Sequence, residues 1–93
     1  MIKVGVVYRI KQIRKEKATD GRDVTKILVI DKNFGHPVWY ELVVIGNVIA
    51  GENDPIVIGQ ITAVSFNRWS SEYQRFIKTP KVYCTLTGVN VIP

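Results

Sequence analysis

The chain has 93 residues, with 13 Lys and Arg against eight Asp and Glu, so its formal net charge is +5. Hydrophobic residues make up 46% and charged residues 23% of the chain. These fractions are ordinary for globular proteins and exclude the disordered, low-complexity and fibrous classes. A chain of this length has enough apolar side chains for one core, so we assign residues 1–93 to a single domain.

No apolar run approaches the roughly 20 residues that are needed to span a bilayer, and residues 1–5 lack the features of a signal peptide. Cys84 is the only cysteine in the sequence, which excludes an internal disulfide and a multi-cysteine zinc site. We therefore expect a cytoplasmic protein with no membrane partner.

Charge is distributed unevenly along the chain. Residues 1–32 contain nine basic and four acidic side chains, residues 33–60 contain three acidic and no basic ones, and residues 61–93 contain four basic and one acidic. Such asymmetry predicts a basic face that attracts a polyanion. The plain alternative is a solvated basic surface with no partner.

The first segment alternates apolar and other residues with the period of two that is typical of a strand with one buried face. Its predicted inward residues are Ile2, Val4, Val6, Tyr8 and Ile10. The next apolar residue is Ile13, which breaks the period. A bulge that bends the strand after Ile10 would restore a continuous inward face.

Turn residues divide the rest of the chain into four more predicted strands, at 24–30, 38–45, 61–69 and 81–92. Residues 14–23 are predicted to form a hairpin loop around Asp20-Gly21, and residues 70–80 a second long loop. Residues 47–59 are predicted to form a loop with one helical turn. If the chain is a protein-interaction domain, the apolar residues 56–58 and 76–77 would be its partner contacts. On the fourth strand, Thr62, Val64 and Phe66 are predicted to face inward.

Five strands, an early bend in the first and an insert after the third favour an all-β fold, a five-stranded Greek-key barrel of the oligonucleotide/oligosaccharide-binding (OB) type. Closure of the barrel removes the exposed edges of a small sheet. An SH3-like barrel is the nearest alternative.

The third predicted strand and its exit, Val-Trp-Tyr-Glu-Leu-Val-Val-Ile-Gly at 38–46, resemble a segment of bacterial and phage single-stranded DNA-binding proteins. The fourth and fifth strands, at 59–69 and 83–92, resemble the segments that follow in that family. The resemblance implies an OB-fold that coats single-stranded DNA with little sequence preference, as a homodimer or homotetramer. By position it also implies that Trp39 stacks on bases.

The bacterial members of that family end in a long tail with an acidic tip, whereas this sequence stops directly after its last predicted strand. We therefore expect a phage, plasmid or mobile-element version that acts in DNA replication or recombination.

Single-strand binding requires cations along the phosphates and flat rings on which bases stack. Trp39 shares its parity with Glu41, so we predict that it faces outward. The candidate nucleic-acid-binding residues are Arg9, Lys11, Arg14, Lys15, Lys17, Arg22, Trp39, Arg68, Trp69, Tyr73, Arg75, Phe76 and Lys78. Of these, Arg14, Lys15, Lys17 and Arg22 are assigned to the first loop. The face of Lys26, on the second strand, is left open.

Enzymatic function is not expected, because phosphate-loop, HExxH and CxxC motifs are missing and the acidic residues are scattered. We predict no catalytic residues, no metal site and no cofactor. Cys84 alternates with Val82 and Leu86 and is predicted to be buried. Two alternative functions stay open for this single domain. It could be an RNA-binding OB module, or a structural or protein-interaction accessory domain.

Overall fold

The structure is a computed structural model that describes residues 2–32, 37–65 and 79–93, together with the backbone of 68–70 and 75–77. These residues form strands and no helix, which confirms the prediction of an all-β protein. The strands are β1 (Val7–Arg9), β2 (Gln12–Lys17), β3 (Asp23–Asp31), β4 (Val38–Ile45), β5 (Asn47–Ile49), β6 (Pro55–Ser65), β7 (Arg68–Ser70), β8 (Arg75–Ile77), β9 (Lys81–Thr87) and β10 (Asn90–Ile92).

Six of the strands form one mixed sheet in the order β1-β6-β9-β4-β3-β2. All neighbours are antiparallel except β4 and β9, which run parallel where residues 41–43 lie opposite 81–83. Two further ribbons pair β5 with β10 and β7 with β8. In the described part of the chain, no helix is long and apolar enough to cross a membrane.

The two outermost strands of this order, β1 and β2, are separated along the chain by only Ile10 and Lys11. The Ile10 amide donates to the carbonyl oxygen of Asp54 at 3.0 Å, next to β6, whereas the Lys11 amide donates to that of Leu28 at 2.8 Å, on β3. The sheet must therefore curl until its first and last strands are continuous. The change of partner occurs where the broken period predicted a bend.

The core fills the concave side of the curled sheet. Its fully buried side chains come from five strands and from the Ile10 junction, and the largest are Ile10, Ile27, Val29, Leu42, Val48, Ile56, Ile58 and Val82. Tyr8 and Cys84 are also buried, as predicted. Burial raises the pKa of the Cys84 thiol to about 11, so the thiol stays protonated at neutral pH.

A buried hydroxyl connects the main sheet to the β5–β10 ribbon. The Thr25 hydroxyl donates to the carbonyl oxygen of Gly46 at 2.8 Å and accepts from the Val48 amide at 3.1 Å. Gly46 itself has a φ of +111°, a backbone conformation that favours glycine. β4 can therefore turn sharply into β5 over this buried hydroxyl.

The predicted loop at 14–23 is wrong over its first half. Residues 14–17 belong to β2 and pair with the start of β3, so that only residues 18–22 form the turn. This turn is closed by the Ala18 amide, which donates to the Arg22 carbonyl oxygen at 2.9 Å. The polar residues 14–17 were predicted as a loop because they lack apolar side chains. β2 is an edge strand, however, and an edge strand needs no apolar side chains in order to pair.

The predicted loop at 47–59 is also wrong, since it contains β5 and the first part of β6 instead of a helical turn. Ile56 and Ile58 are buried in the core, so they are not open to a partner. Two register shifts in the β6–β9 pairing, one between Ile58 and Gln60 and one between Ile61 and Ala63, change the strand parity. As a result Thr62 is exposed, not inward.

Val4 and Val64 were also predicted to face inward, and the structure confirms this only for Val64. Val4 is exposed and lies before β1, whereas Val64 packs partly buried against the core. Phe66 falls outside the described residues.

A Cβ at Gly46 would lie 2.8 Å from Cγ1 of Val91 and 3.0 Å from the Ile92 carbonyl oxygen. We expect Gly46→Ala to lower the free energy of unfolding by about 3 kcal/mol or more, because a clash adds to the unfavourable φ. The matched control is Gly88→Ala, with φ of +76° and open space around the new methyl group. It should lose only about 1–2 kcal/mol. Urea unfolding measures both values, and equal losses would contradict the close β4–β10 approach.

Candidate nucleic-acid interface

Trp39 lies on the convex, outer face of the curled sheet. Its neighbours along β4, Tyr40 and Leu42, point into the core, so strand alternation directs the indole outward. Trp39 is 43% exposed and pairs across the strands with Ile30. The predicted outward orientation of Trp39 is confirmed, while its role in stacking stays a prediction.

A cleft opens beside Trp39 because β1 leaves β3 in order to pair with β6. This β1–β3 cleft has a volume of about 280 Å³ and is lined by Val6, Val7, Tyr8, Arg9, Lys11, Ile30, Asp31 and Lys32. Among these described residues the cations Arg9, Lys11 and Lys32 are exposed, whereas the one carboxylate, Asp31, is buried. The rim of the cleft is therefore positively charged.

Apolar and hydrogen-bonded groups form the body of the cleft. Val7 is exposed on its β1 side and Ile30 is half-buried on its β3 side. The buried Tyr8 hydroxyl accepts a hydrogen bond from the Lys3 amide at 2.9 Å. Burial raises the pKa of Tyr8, so this ring stays neutral and leaves the charge of the cleft unchanged.

Ile30 connects the cleft to Trp39, since it lines the cleft and lies directly opposite Trp39 in the β3–β4 register. Directly opposed side chains on one sheet face have Cβ atoms about 5 Å apart. An exposed ring and a rim of cations therefore lie side by side on the outer face.

Further along the same face, β2, β3, β4 and β9 contribute an ion-pair cluster. Glu41 is 8% exposed, and its carboxylate lies 3.3 Å from Arg14 and 3.8 Å from Lys81. Glu16 lies 2.8 Å from the Lys26 ammonium and 3.8 Å from Arg14. These two carboxylates leave the three described cations with an excess of one positive charge, so this part of the face is much less basic than the cleft rim.

The remaining predicted cations of β2 and its turn lie elsewhere. The Lys15 ammonium donates to Asn47 Oδ1 at 2.6 Å and to the Val48 carbonyl oxygen, which fixes it against β5 on the opposite face from Arg14. Lys17 and Arg22 each lie 2.6 Å from a neighbouring carboxylate, of Asp23 and Asp20 respectively. Arg9 and Lys11 therefore line the β1–β3 cleft, where the Arg9 guanidinium also donates to the Asn53 carbonyl oxygen at 3.1 Å, whereas Lys15, Lys17 and Arg22 lie elsewhere.

The second predicted cluster lies mostly outside what the structure describes. The backbone of β7 pairs with that of β8, so that Trp69 lies opposite Phe76 and Arg68 and Arg75 occupy the same ribbon. The side chains of these four residues, and all of Tyr73 and Lys78, lie outside the described residues.

Four residues of this face were not among the predicted site residues: Lys26, Lys32, Lys81 and Tyr83. The parity of Lys26 with Leu28 and Ile30 left its face open, and the structure places it on the outer face, where these side chains are half-buried. Lys32 lies outside the predicted strands, between those at 24–30 and 38–45. The register that places Lys26, Lys81 and Tyr83 on the same face as Trp39 follows from the strand pairing, which the sequence pattern does not contain.

Among the described residues, no group of three or more His, Cys, Asp or Glu side chains is arranged to hold a metal ion. Comparison with protein-family models, with curated proteins and with solved structures found no match. Function has to be inferred from the geometry of the outer face.

The hydrogen bond from Lys26 lowers the pKa of the Glu16 carboxyl below its ordinary value. A lowered folded-state pKa means that this pair stabilises the fold above the unfolded-state pKa and that the stabilisation is lost as pH falls through the folded-state value. We expect Lys26→Met to raise the Glu16 pKa towards its ordinary value in a ¹³C NMR titration.

Asp20 is the internal control for this titration, since its pKa is lowered by hydrogen bonds from Arg22 at the hairpin turn. Its titration should be the same in both proteins. A Glu16 pKa that does not change in Lys26→Met would contradict the ion pair on the outer face.

Proposed function

We propose that this chain is an OB-fold protein that binds single-stranded DNA with little sequence preference. The observation that carries the proposal is the position of Trp39, an exposed indole next to a cleft whose rim holds Arg9, Lys11 and Lys32. An exposed ring and a row of cations are the two components that sequence-tolerant single-strand binding needs.

The strand order supports the OB assignment. If β1 and β2 are counted as two halves of one bent strand, the main sheet consists of five strands, with β4 parallel to β9. OB-folds are five-stranded, partly open barrels that bind oligonucleotides on the face of their second and third strands. Those strands are β3 and β4 here, and they carry Ile30 and Trp39.

The chemistry of the face supports binding without a sequence code. An indole stacks on any base, and Lys and Arg contact phosphates that every nucleotide shares. The arrangement suits a protein that coats single-stranded DNA during replication or recombination. Its resemblance to single-stranded DNA-binding proteins favours a phage, plasmid or mobile-element role and a homodimer or homotetramer.

A protein-interaction function is the second candidate, because three isoleucines outside the cleft are about half exposed. They are Ile45, Ile49 and Ile92, at the ends of β4, β5 and β10. Exposed apolar side chains that lie together are typical of protein contacts. Stable association with another protein, without any affinity for single strands, would favour this function.

We expect Trp39→Ala to weaken the binding of oligo(dT) by about 1–3 kcal/mol, because one stacked base is lost. The fold should survive, since the indole lies on the surface. Fluorescence anisotropy with labelled oligo(dT) measures the affinity, and competition with an RNA oligomer of equal length separates DNA from RNA binding.

The matched control for Trp39 is Ile49→Ala, which also shortens an exposed apolar side chain but lies on the β5–β10 ribbon. Its affinity for oligo(dT) should equal that of the unmodified protein. If the two variants bind equally well, Trp39 does not stack on bases.

Binding should weaken steeply with salt, because each phosphate contact releases counterions. We expect Lys32→Gln to reduce the slope of log K against log salt by about 0.7, the value for one contact on a single strand. Arg22→Gln removes the same charge from a side chain already 2.6 Å from Asp20, and should change the slope less. A larger effect at Arg22 than at Lys32 would place the phosphates at the hairpin turn and not at the β1–β3 cleft.

A further inference from the structure

Tyr83 is a second exposed ring on the same face as Trp39. In the parallel β4–β9 register Tyr83 lies opposite Val43, and Val43 is four residues from Trp39 along β4, so all three side chains share one face. Tyr83 is 39% exposed, a high value for a ring on a strand in the middle of the sheet order.

The Tyr83 ring borders an apolar groove of about 380 Å³. The groove opens because β4 and β9 pair only up to Val43 and Tyr83, after which β4 turns at Gly46 and β9 continues along β6. Its lining includes Val43, Ile45, Tyr83, Thr85, Leu86 and Val91, and none of the described lining residues is charged. The Thr62 hydroxyl donates to the Tyr83 carbonyl oxygen at 3.0 Å and helps to fix the backbone beneath the ring.

We infer that Tyr83 and this groove form a second nucleobase site, which receives bases of the same single strand that stacks on Trp39. The inference rests on the proposed function and adds a binding residue and a direction for the strand. A flat ring beside an uncharged slot matches a nucleobase, which presents a flat apolar surface and no charge.

Continuity with the first site favours a nucleic acid over other occupants of the groove. Strand geometry puts Val43 about 13 Å from Trp39, and Tyr83 one strand spacing of about 4.8 Å to the side. The two positions are therefore about 14 Å apart, which corresponds to about four nucleotides at the stacked spacing of 3.4 Å. That span fits within the 4–16 nucleotides that a single OB-fold covers.

The ion-pair cluster lies between the two rings. Glu41 is paired with Arg14 and Lys81, and Glu16 with Lys26 and Arg14, which leaves an excess of one positive charge. The middle of the face therefore attracts phosphates only weakly, and the two rings are the main contacts that we expect for the strand there.

The test is photocrosslinking of the unmodified protein to an oligo(dT) of about 16 nucleotides with single 5-iodouracil substitutions. Because oligo(dT) binds in many registers, we expect 5-iodouracil at central positions to crosslink to both Trp39 and Tyr83. In binding assays Tyr83→Ala should bind the same oligomer about 5- to 100-fold more weakly. Tyr83→Phe keeps the ring and should bind like the unmodified protein, and Ile92→Ala is the control for loss of an exposed apolar side chain.

The outcomes separate the two proposals. If the unmodified protein binds no single strand, the proposed function fails and the second site with it. If it binds and crosslinks through Trp39, but Tyr83 neither crosslinks nor affects affinity, only the second site is overturned. The groove could instead hold a second copy of this chain, and sedimentation of Tyr83→Ala tests that alternative. If the variant dissociates from an oligomer while its DNA affinity is unchanged, the groove is a subunit interface and the inference is overturned.

Discussion

The backbone of Ile10 and Lys11 hydrogen-bonds in two directions, and the rest of the structure follows from that divergence. One amide bonds beside β6 and the next bonds to β3, so a single continuous segment occupies both ends of the strand order. The sheet has to curl, and the curl encloses the Ile10 side chain with the other fully buried residues. A small chain buries little of its surface, so a core to which five of the described strands contribute is important for the stability of the fold.

The same divergence creates the candidate site. Where β1 turns away from β3, the outer face acquires a cleft between Val7 and Ile30, and the cations that flank the junction on both strands form its rim. Trp39 faces outward because Tyr40 and Leu42 on the same strand are buried in the core. The fold and the candidate site are therefore connected by geometry, since the curl of the sheet and the cleft both result from the change of hydrogen-bond partner at Ile10 and Lys11.

Positive charge is distributed unevenly over the outer face. Lys15, Lys17 and Arg22 are engaged with groups away from Trp39, and Glu41 takes up part of the charge of Arg14 and Lys81. The basic excess that remains near Trp39 comes from the cleft rim. A net charge of +5 for the chain therefore says less about the candidate face than the placement of Arg9, Lys11 and Lys32 does.

Local patterning was sufficient to predict β3, β4 and β9 and the outward direction of Trp39, because alternation is a property of each strand by itself. It failed for β2, whose polar side chains pair at a sheet edge, and for β5 and the first part of β6, which were predicted as a loop although Val48, Ile56 and Ile58 are fully buried. It also missed Lys32 and Tyr83, whose proximity to the face depends on which strands pair. Strand pairing joins residues that are far apart in the sequence, and the alternation within one strand does not determine which strands pair.

If a single strand lies on Trp39 and the β1–β3 cleft, as we propose, titration of ¹⁵N-labelled protein with oligo(dT) will reveal it by NMR. We expect the largest chemical-shift changes at the Trp39 indole N–H and at Val7, Ile30 and Lys32, while the signal of Ile49 on β5 stays in place. Shift changes centred on the β5–β10 ribbon, with an unmoved Trp39 signal, would show that the strand does not bind there.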